Sequence, residues 1–126
     1  MAPMADLKGT GLRTLGDVLL QEPLRNSIRV LILISLGMNR TLAFSDLLEL
    51  TGTSKGSLGH HLEQLESAGL VRTRMVFTLG GPRIRVEITP QGLAKYDELA
   101  RELGRLVAAR PPVAEREGPA PGLPQG

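Results

Sequence analysis

The chain contains no cysteine, and aromatic residues make up only 2% of its sequence. The absence of cysteine excludes disulfides, thiolate zinc sites and thiol-based redox sensing. The scarcity of aromatic side chains excludes large stacking surfaces and requires a core built from Leu, Ile, Val and Ala. With 126 residues, 41% of them hydrophobic, the chain has the length of one domain with its own apolar core.

Long apolar runs and a recognisable leader are also missing. The longest stretch without a charged residue, from Val30 to Asn39, has half of the ~20 residues that a membrane-spanning helix needs. Asp6 precedes the first apolar run and no basic segment leads into it, which argues against a secretory signal. We expect a cytoplasmic protein that does not contact a membrane.

The sequence contains none of the common catalytic motifs. It has no glycine-rich phosphate loop after a strand, no G-x-S-x-G elbow and no H-E-x-x-H pair. The carboxylates at helical spacing fit exposed faces, where acidic residues keep a protein soluble: Asp46, Glu49, Glu63 and Glu66. We therefore expect a protein that is not an enzyme and has no cofactor.

Two helices are predicted in the first third of the chain. Apolar residues at helical spacing predict a short amphipathic helix that ends before Pro23: Leu12, Leu15, Val18 and Leu19. Asn26 is expected to cap the second helix, and Gly37 to end it in the left-handed conformation. The many β-branched residues between them leave a buried strand as the alternative, but the length of the segment and both end signals favour a helix.

A short strand at residues 41–43 and two further helices follow. The first of these helices covers residues 44–50 and ends at Thr51-Gly52, and the second is capped by Thr53 or Ser54. Gly69 closes the second helix. Its apolar residues recur at intervals of four and three on one face: Leu58, Leu62 and Leu65.

The next segments predict a β-hairpin and a last helix. Residues 71–78 and 83–88 alternate between apolar side chains and basic or polar ones, which indicates a hairpin with one apolar and one basic face. Thr89 then caps a helix with Pro90 at its first position, where the missing proline N–H costs nothing. This helix is expected to reach Arg110.

Two helices joined by a tight turn, with a basic hairpin directly after the second, form the layout of a winged helix-turn-helix. The segments S-K-G-S-L-G-H-H-L at 54–62 and L-E-S-A-G-L-V at 65–71 resemble the recognition helix and its exit into the wing of ArsR- and MarR-type transcriptional regulators. The segment I-T-P-Q-G at 88–92 is similar to their junction between wing and last helix. Together with Arg29 in the second predicted helix, these segments extend the resemblance over residues 24–108. The resemblance implies a homodimeric transcription factor that binds double-stranded DNA.

We therefore predict an α+β, mainly α protein. It is a winged helix-turn-helix with an added N-terminal helix and a long C-terminal dimerisation helix, all within residues 12–110. Residues 1–11 are expected to be flexible. Residues 111–126 hold five prolines and three glycines, a composition that cannot offset the entropy of ordering a chain, and predict a disordered tail.

In the predicted recognition helix, residues 54–68, the leucine stripe packs on the core. The opposite side of the helix therefore faces outward and is free to enter the major groove. Lys55 can reach a phosphate beside the helix N-terminus. Hydrogen-bonding side chains on the same side suit base edges. The predicted DNA-binding residues of this helix are Ser54, Lys55, Gly56, Ser57, His60 and Gln64.

Glycines and histidines in this helix each allow two interpretations. Gly56 and Gly59 each weaken a helix by roughly 1 kcal/mol relative to alanine, so they serve either close approach to DNA or tight packing against the preceding helix. His60 and His61 point about 100° apart and cannot chelate one ion together. We therefore predict no metal site, and we interpret His61 as a partly buried packing residue.

The hairpin carries four positive charges and no acid within residues 71–86. Like charges across a two-stranded ribbon repel unless an anion neutralises them, and Glu87 is the nearest carboxylate. The wing at 71–88 is thus expected to contact the DNA backbone or minor groove, with an ordinary solvated face as the alternative. Its tip lacks an arginine at the apex, which argues against insertion of the tip itself. The wing residues predicted to contact DNA are Arg72, Arg74, Arg83 and Arg85.

A seam of apolar residues on the last helix predicts a homodimer, although a monomeric core could also absorb it. A two-fold dimer would present its recognition helices to half-sites ~34 Å apart. The predicted dimerisation residues are Leu12, Leu15, Leu19, Tyr96, Leu99, Leu103 and Leu106.

Two further partners remain open at the level of sequence. A winged-helix module that binds a polypeptide instead of DNA is the alternative function. An apolar cleft between the last helix and the DNA-binding part could hold a small-molecule effector, but no residue identifies one.

Overall fold

The computed structural model describes residues 11–109. Its elements are helix α1 (Gly11–Leu19), helix α2 (Ser27–Asn39), strand β1 (Thr41–Ala43), helix α3 (Phe44–Thr51), helix α4 (Lys55–Ser67), strands β2 (Val71–Thr78) and β3 (Gly81–Ile88), and helix α5 (Pro90–Ala108). The predicted mainly helical class and the element order are confirmed. None of these helices is both long enough and apolar enough to cross a membrane.

The terminal segments that were predicted from the sequence lie only partly within the described residues. Helix α1 begins at Gly11, the last residue of the segment predicted to be flexible. The last helix ends at Ala108, with Ala109 as its C-cap, and so stops two residues before the predicted end at Arg110. The rest of the N-terminal segment and the tail at 111–126 lie outside the described residues.

Side-chain caps start three of the helices at the predicted residues. The Asn26 side chain accepts hydrogen bonds from the backbone N–H groups of Ile28 (2.8 Å) and Arg29 (3.3 Å). Ser54, not Thr53, caps α4 by accepting from the N–H of Ser57 at 3.1 Å. The Thr89 hydroxyl accepts from Gly92 at 2.9 Å and opens α5. These bonds satisfy N–H groups that the first turn of a helix leaves without an intrahelical partner.

Gly37 does not end α2, contrary to the sequence prediction. The helix continues to Asn39, and the residue with positive φ is Arg40, at 72°. A β-carbon at Gly37 would instead overlap the ring of Tyr96 in α5. The position requires glycine because two helices approach closely there, not because the chain turns.

The core lies where α2, α3 and α4 meet the base of the hairpin. The predicted stripe of Leu58, Leu62 and Leu65 is buried, which confirms the orientation of α4. Because this side of α4 is fixed inward, its opposite side must face away from the core. The fully buried large side chains are Ile32, Leu33, Leu36, Leu47, Leu58, Leu65, Val71 and Val86.

The sheet is antiparallel with strand order β1-β3-β2, and its register separates two faces. Arg74 lies opposite Arg85, and Met75 lies opposite Ile84. Directly opposed residues share a face, so the four wing arginines lie on one face and the apolar side chains on the other. The predicted alternation of the hairpin is therefore confirmed. Since Val86 is buried, the apolar face is the one that packs on the helices.

Gly37→Ala is expected to destabilise the protein by about 1–3 kcal/mol, because the new methyl group enters the space of the Tyr96 ring. Gly59→Ala is a matched control within another helix, since no described atom lies within 4 Å of a β-carbon built there. It should stabilise the protein by roughly 0.5–1 kcal/mol. Urea unfolding measures both variants, and equal stabilities would contradict the close contact between α2 and α5.

Candidate nucleic-acid interface

The residues of α4 that are predicted to contact DNA lie outside the core, and one of them, Gln64, borders a cleft with Glu22 and Pro23 of the loop after α1. Ser54, Lys55, Gly56 and His60 are exposed, and Ser57 and Gln64 are half-buried. None of them belongs to the buried core, which α4 enters through its leucines instead. Three elements create this surface: the Ser54 cap, the inward leucines and the short α3–α4 turn, in which Gly52 has φ 67°.

The two glycines of α4 leave its surface open. A β-carbon built at Gly56 or at Gly59 would meet no described atom within 4 Å. Tight packing against the preceding helix, one of the two interpretations of these residues, is therefore wrong. The glycines instead let another body approach the helix backbone closely on this side.

The hairpin runs along α4 from its C-terminal to its N-terminal end. Near the base, the Thr73 hydroxyl donates a hydrogen bond to the Glu66 carboxylate at 3.3 Å. Farther out, a cleft of about 260 Å³ separates the start of α4 from β3, with Lys55, Arg83 and Ile84 among its lining residues. The distal hairpin and the first turn of α4 therefore lie at the same end of the molecule. Two predicted DNA contacts, Lys55 and Arg83, border one cleft there.

The remaining wing arginines are less isolated than the sequence suggested. Arg72 pairs with Glu87 at 3.4 Å, and Arg74 forms a second ion pair with the same carboxylate at 2.6 Å. Arg85 faces Arg74 across the strands. Glu87, the nearest carboxylate in the sequence, therefore pairs with two of the four guanidinium groups. All four arginines leave the sheet on the face opposite to α4, and Arg83, the outermost of them, also borders the cleft that Lys55 lines.

His61 is a buried residue with a specific polar partner. Its Nδ1 accepts a hydrogen bond from Nε of Arg29 at 3.1 Å, and Arg29 Nη1 donates to Glu22 at 2.9 Å. Burial lowers the pKa of His61 below its ordinary value, and the neighbouring Arg29 and His60 charges lower it further. Only an imidazole without a proton on Nδ1 can accept this bond, which agrees with the lowered pKa.

This network links α4 to α2 and to the loop after α1, and the sequence analysis missed it. The available signal was Arg29 itself, a single charge in the otherwise apolar first turns of α2. Its partner could not be identified, because His61 lies 32 residues away. Within residues 11–109, no three His, Asp or Glu side chains cluster closely enough to hold a metal ion.

The predicted dimerisation residues divide into two groups. Leu99 is buried within the chain, and Tyr96 packs on the core and against Gly37. Leu12 of α1 and Leu103 of α5 are exposed. The other three residues are half-buried: Leu15, Leu19 and Leu106. The apolar surface left for a partner is therefore smaller than the full seam and centres on α1 and the second half of α5.

Comparisons with known proteins find a winged-helix family model and transcriptional regulators of similar fold. The family model described as winged helix DNA-binding domain matches residues 28–107. A transcriptional regulator homologue from Pyrococcus horikoshii OT3 is similar with 30% identity and a TM-score of 0.65, over 75% of this chain and 93% of that chain. A transcriptional regulator of the MarR family from Enterococcus faecalis V583 shares 25% identity, with a TM-score of 0.54, over 80% and 88%.

A further similar structure contains a small molecule. NadR, solved in complex with 4-hydroxyphenylacetate, is 25% identical with a TM-score of 0.61, over 86% of this chain and 75% of that chain. No curated protein matches the sequence.

The lowered pKa of His61 predicts that the protein loses stability as the pH falls. In the unfolded chain His61 titrates near its ordinary value of 6.5, whereas the folded protein takes up this proton only at lower pH. The unfolded state therefore binds more protons in this range. The contribution is fully present above pH 6.5 and is lost as the pH falls from there through the lowered pKa. Urea unfolding between about pH 7.5 and about pH 5.5 measures this slope.

A matched pair of variants isolates the residue responsible for that slope. His61→Asn keeps an oxygen near the position of Nδ1 as a hydrogen-bond acceptor but does not titrate, so it should flatten the slope. His60→Asn changes the exposed neighbour and should leave the slope intact. A slope that persists in His61→Asn would show that other groups cause it.

Proposed function

The chain belongs to the winged helix DNA-binding domain family, and we infer that it is a homodimeric transcriptional regulator that binds specific sequences of double-stranded DNA. This family consists of DNA-binding domains, not enzymes. One observation carries the proposal. The outward side of α4 combines open glycines with hydrogen-bonding side chains beside Lys55, at the end of the molecule to which the hairpin extends.

In the proposed complex, α4 enters the major groove with its N-terminal half leading. Lys55 and the free N–H groups of the first turn contact phosphates, because a helix N-terminus favours anions. Ser57, His60 and Gln64 face base edges, where hydroxyl, imidazole and amide groups discriminate between base pairs. Gly56 removes the side chain that would otherwise hold the helix away from the base pairs.

The wing contacts the backbone or the minor groove beside this site. Arg83 is the best-placed cation because it borders the same cleft as Lys55. The side chains of Arg72 and Arg74 are more than half exposed, and exposed ion pairs contribute only about 0–1 kcal/mol. A phosphate can therefore replace Glu87 as their partner at little cost.

The proposed dimer uses α1 and α5. Leu12 and Leu103 are large apolar residues left exposed there, and a second copy would remove them from water. A two-fold axis at this surface presents two α4 helices to half-sites ~34 Å apart. We place the regulator in the cytoplasm, with a small-molecule effector supported by the likeness to NadR, whose structure holds 4-hydroxyphenylacetate.

Binding to DNA is tested by selection from random duplexes, followed by titration at several salt concentrations. Lys55→Ala should weaken binding to all sequences alike and reduce the slope of log K against log salt by about 0.9. Ser57→Ala and Gln64→Ala should change base preference, at about 1–3 kcal/mol for each lost contact. Arg101→Ala, on the exposed side of α5, is the charge-matched control and should change neither property. Wild-type protein without any salt-sensitive affinity for duplexes would favour the alternative function, a module that binds a polypeptide.

The dimer is tested with two leucines of equal exposure. Leu103 in α5 and Leu50 in α3 are each 48% exposed. Leu103→Glu should raise the dimer dissociation constant by about 100-fold or more, because the two-fold axis brings like charges into an apolar contact. Leu50→Glu should leave the dimer intact in sedimentation equilibrium. Equal behaviour of the two variants would refute the proposed surface.

A further inference from the structure

The outer half of the hairpin exposes large apolar side chains that the fold does not use. Phe77 is 82% exposed, Met75 is 57% exposed, and Leu79 in the turn is fully exposed. Val71 and Val86 at the base supply the buried contacts of the hairpin. Apolar residues that are exposed singly are ordinary, but a cluster of exposed apolar side chains on one element marks an interaction surface.

This apolar tip, defined here as Phe77, Leu79 and Pro82, continues the proposed DNA surface. Pro82 lines the same cleft as Lys55 in the first turn of α4. Phe77 lies opposite Pro82 in the ladder, and Leu79 lies beyond both in the turn. The tip therefore lies past the end of α4 that carries Lys55, where the hairpin would meet the duplex beside the major groove.

Charge around the tip favours a polyanion as its partner. Arg83 bends back over the turn, where its Nη1 donates to the carbonyl oxygen of Pro82 at 2.9 Å. Residues 71–86 contain four arginines and no acid, and Glu87 pairs with the two of them nearer the base, Arg72 and Arg74. A second copy docked tip to tip would set these arginines against one another, which is unfavourable. Apolar side chains bordered by guanidinium groups fit the minor groove, where phosphates line both edges.

We propose that Leu79 and Phe77 act as an apolar wedge that enters the minor groove next to the sequence bound by α4. The wedge partly unstacks one base step there and bends the duplex toward the major groove, as apolar side chains do when they insert between bases. Pyrimidine–purine steps such as TA unstack most easily, so the wedge selects them at a position that α4 does not touch. This inference rests on the proposed function.

The wedge also explains a tip that lacks arginine at its apex. In the sequence alone, that lack argues against insertion of the tip. Insertion by apolar side chains does not need an arginine at that position, because it depends on hydrophobic contact and base-step flexibility.

The test uses the full chain and the duplex selected for the proposed function, with 2-aminopurine placed in the flanking steps. Wild-type protein should raise the fluorescence of one flanking 2-aminopurine and shorten the end-to-end distance measured by energy transfer. It should also bind a TA flank about tenfold more tightly than an AA flank. The double variant Phe77→Ala/Leu79→Ala should lose the unstacking, the bend and the flank preference, while its preference at the bases read by α4 persists.

Met38→Ala is the matched control, because Met38 is 70% exposed and belongs to α2, outside the hairpin tip. It should behave like the wild type. All substituted side chains are exposed, and urea unfolding verifies that the variants fold.

The outcomes separate the two proposals. Salt-sensitive, sequence-specific binding with no unstacking and no flank preference in the wild type would overturn the wedge and leave the proposed function intact. A double variant that changes the oligomeric state instead of the DNA bend would assign the tip to a second copy of the chain and also overturn the wedge. Absence of any duplex binding by the wild type would overturn both proposals.

Discussion

Burial of one leucine stripe fixes the orientation on which the rest of this molecule depends. Leu58, Leu62 and Leu65 lie almost completely inside the core, and each contributes about 1.5–3 kcal/mol by leaving water. Rotating α4 by half a turn would expose all three and bury polar groups in their place. The outward position of the side that carries Ser57 and His60 is thus a consequence of packing on the opposite side.

A second restraint on α4 is polar and acts from the same buried side. Arg29 reaches from α2 to His61 and also holds Glu22 in the loop after α1. A buried guanidinium is costly unless its donors find acceptors, and here an imidazole, a carboxylate and the Pro23 carbonyl supply them. The network therefore fixes the position of the helix more narrowly than apolar contact alone, which tolerates small shifts. Because His61 accepts the bond from Arg29 only while its Nδ1 carries no proton, the position of α4 is also sensitive to protonation of His61.

The hairpin combines three surfaces on one ribbon. Its base contributes Val71 and Val86 to the core, its outer face carries arginines around Glu87, and its tip exposes Phe77 and Leu79. Alternation of side chains along the strands makes the separation of the two faces unavoidable. The apolar face is only partly covered, because the strands extend beyond the helices that cover it. The length of the two strands therefore leaves the outer part of their apolar face available to a partner.

Much of this fold was predictable, because its main determinants are local. The caps at Asn26, Ser54 and Thr89, the leucine spacing of α4 and the alternation of the hairpin each act within a few residues, so periodicity and capping rules identify them. They were enough to place the candidate DNA-binding side of α4. Tertiary structure alone decided that Gly37 accommodates Tyr96, that Arg29 meets His61, and that Glu87 neutralises two arginines on the sheet face opposite to α4. These features depend on which residues meet after distant segments come together, and no pattern within one segment specifies that meeting.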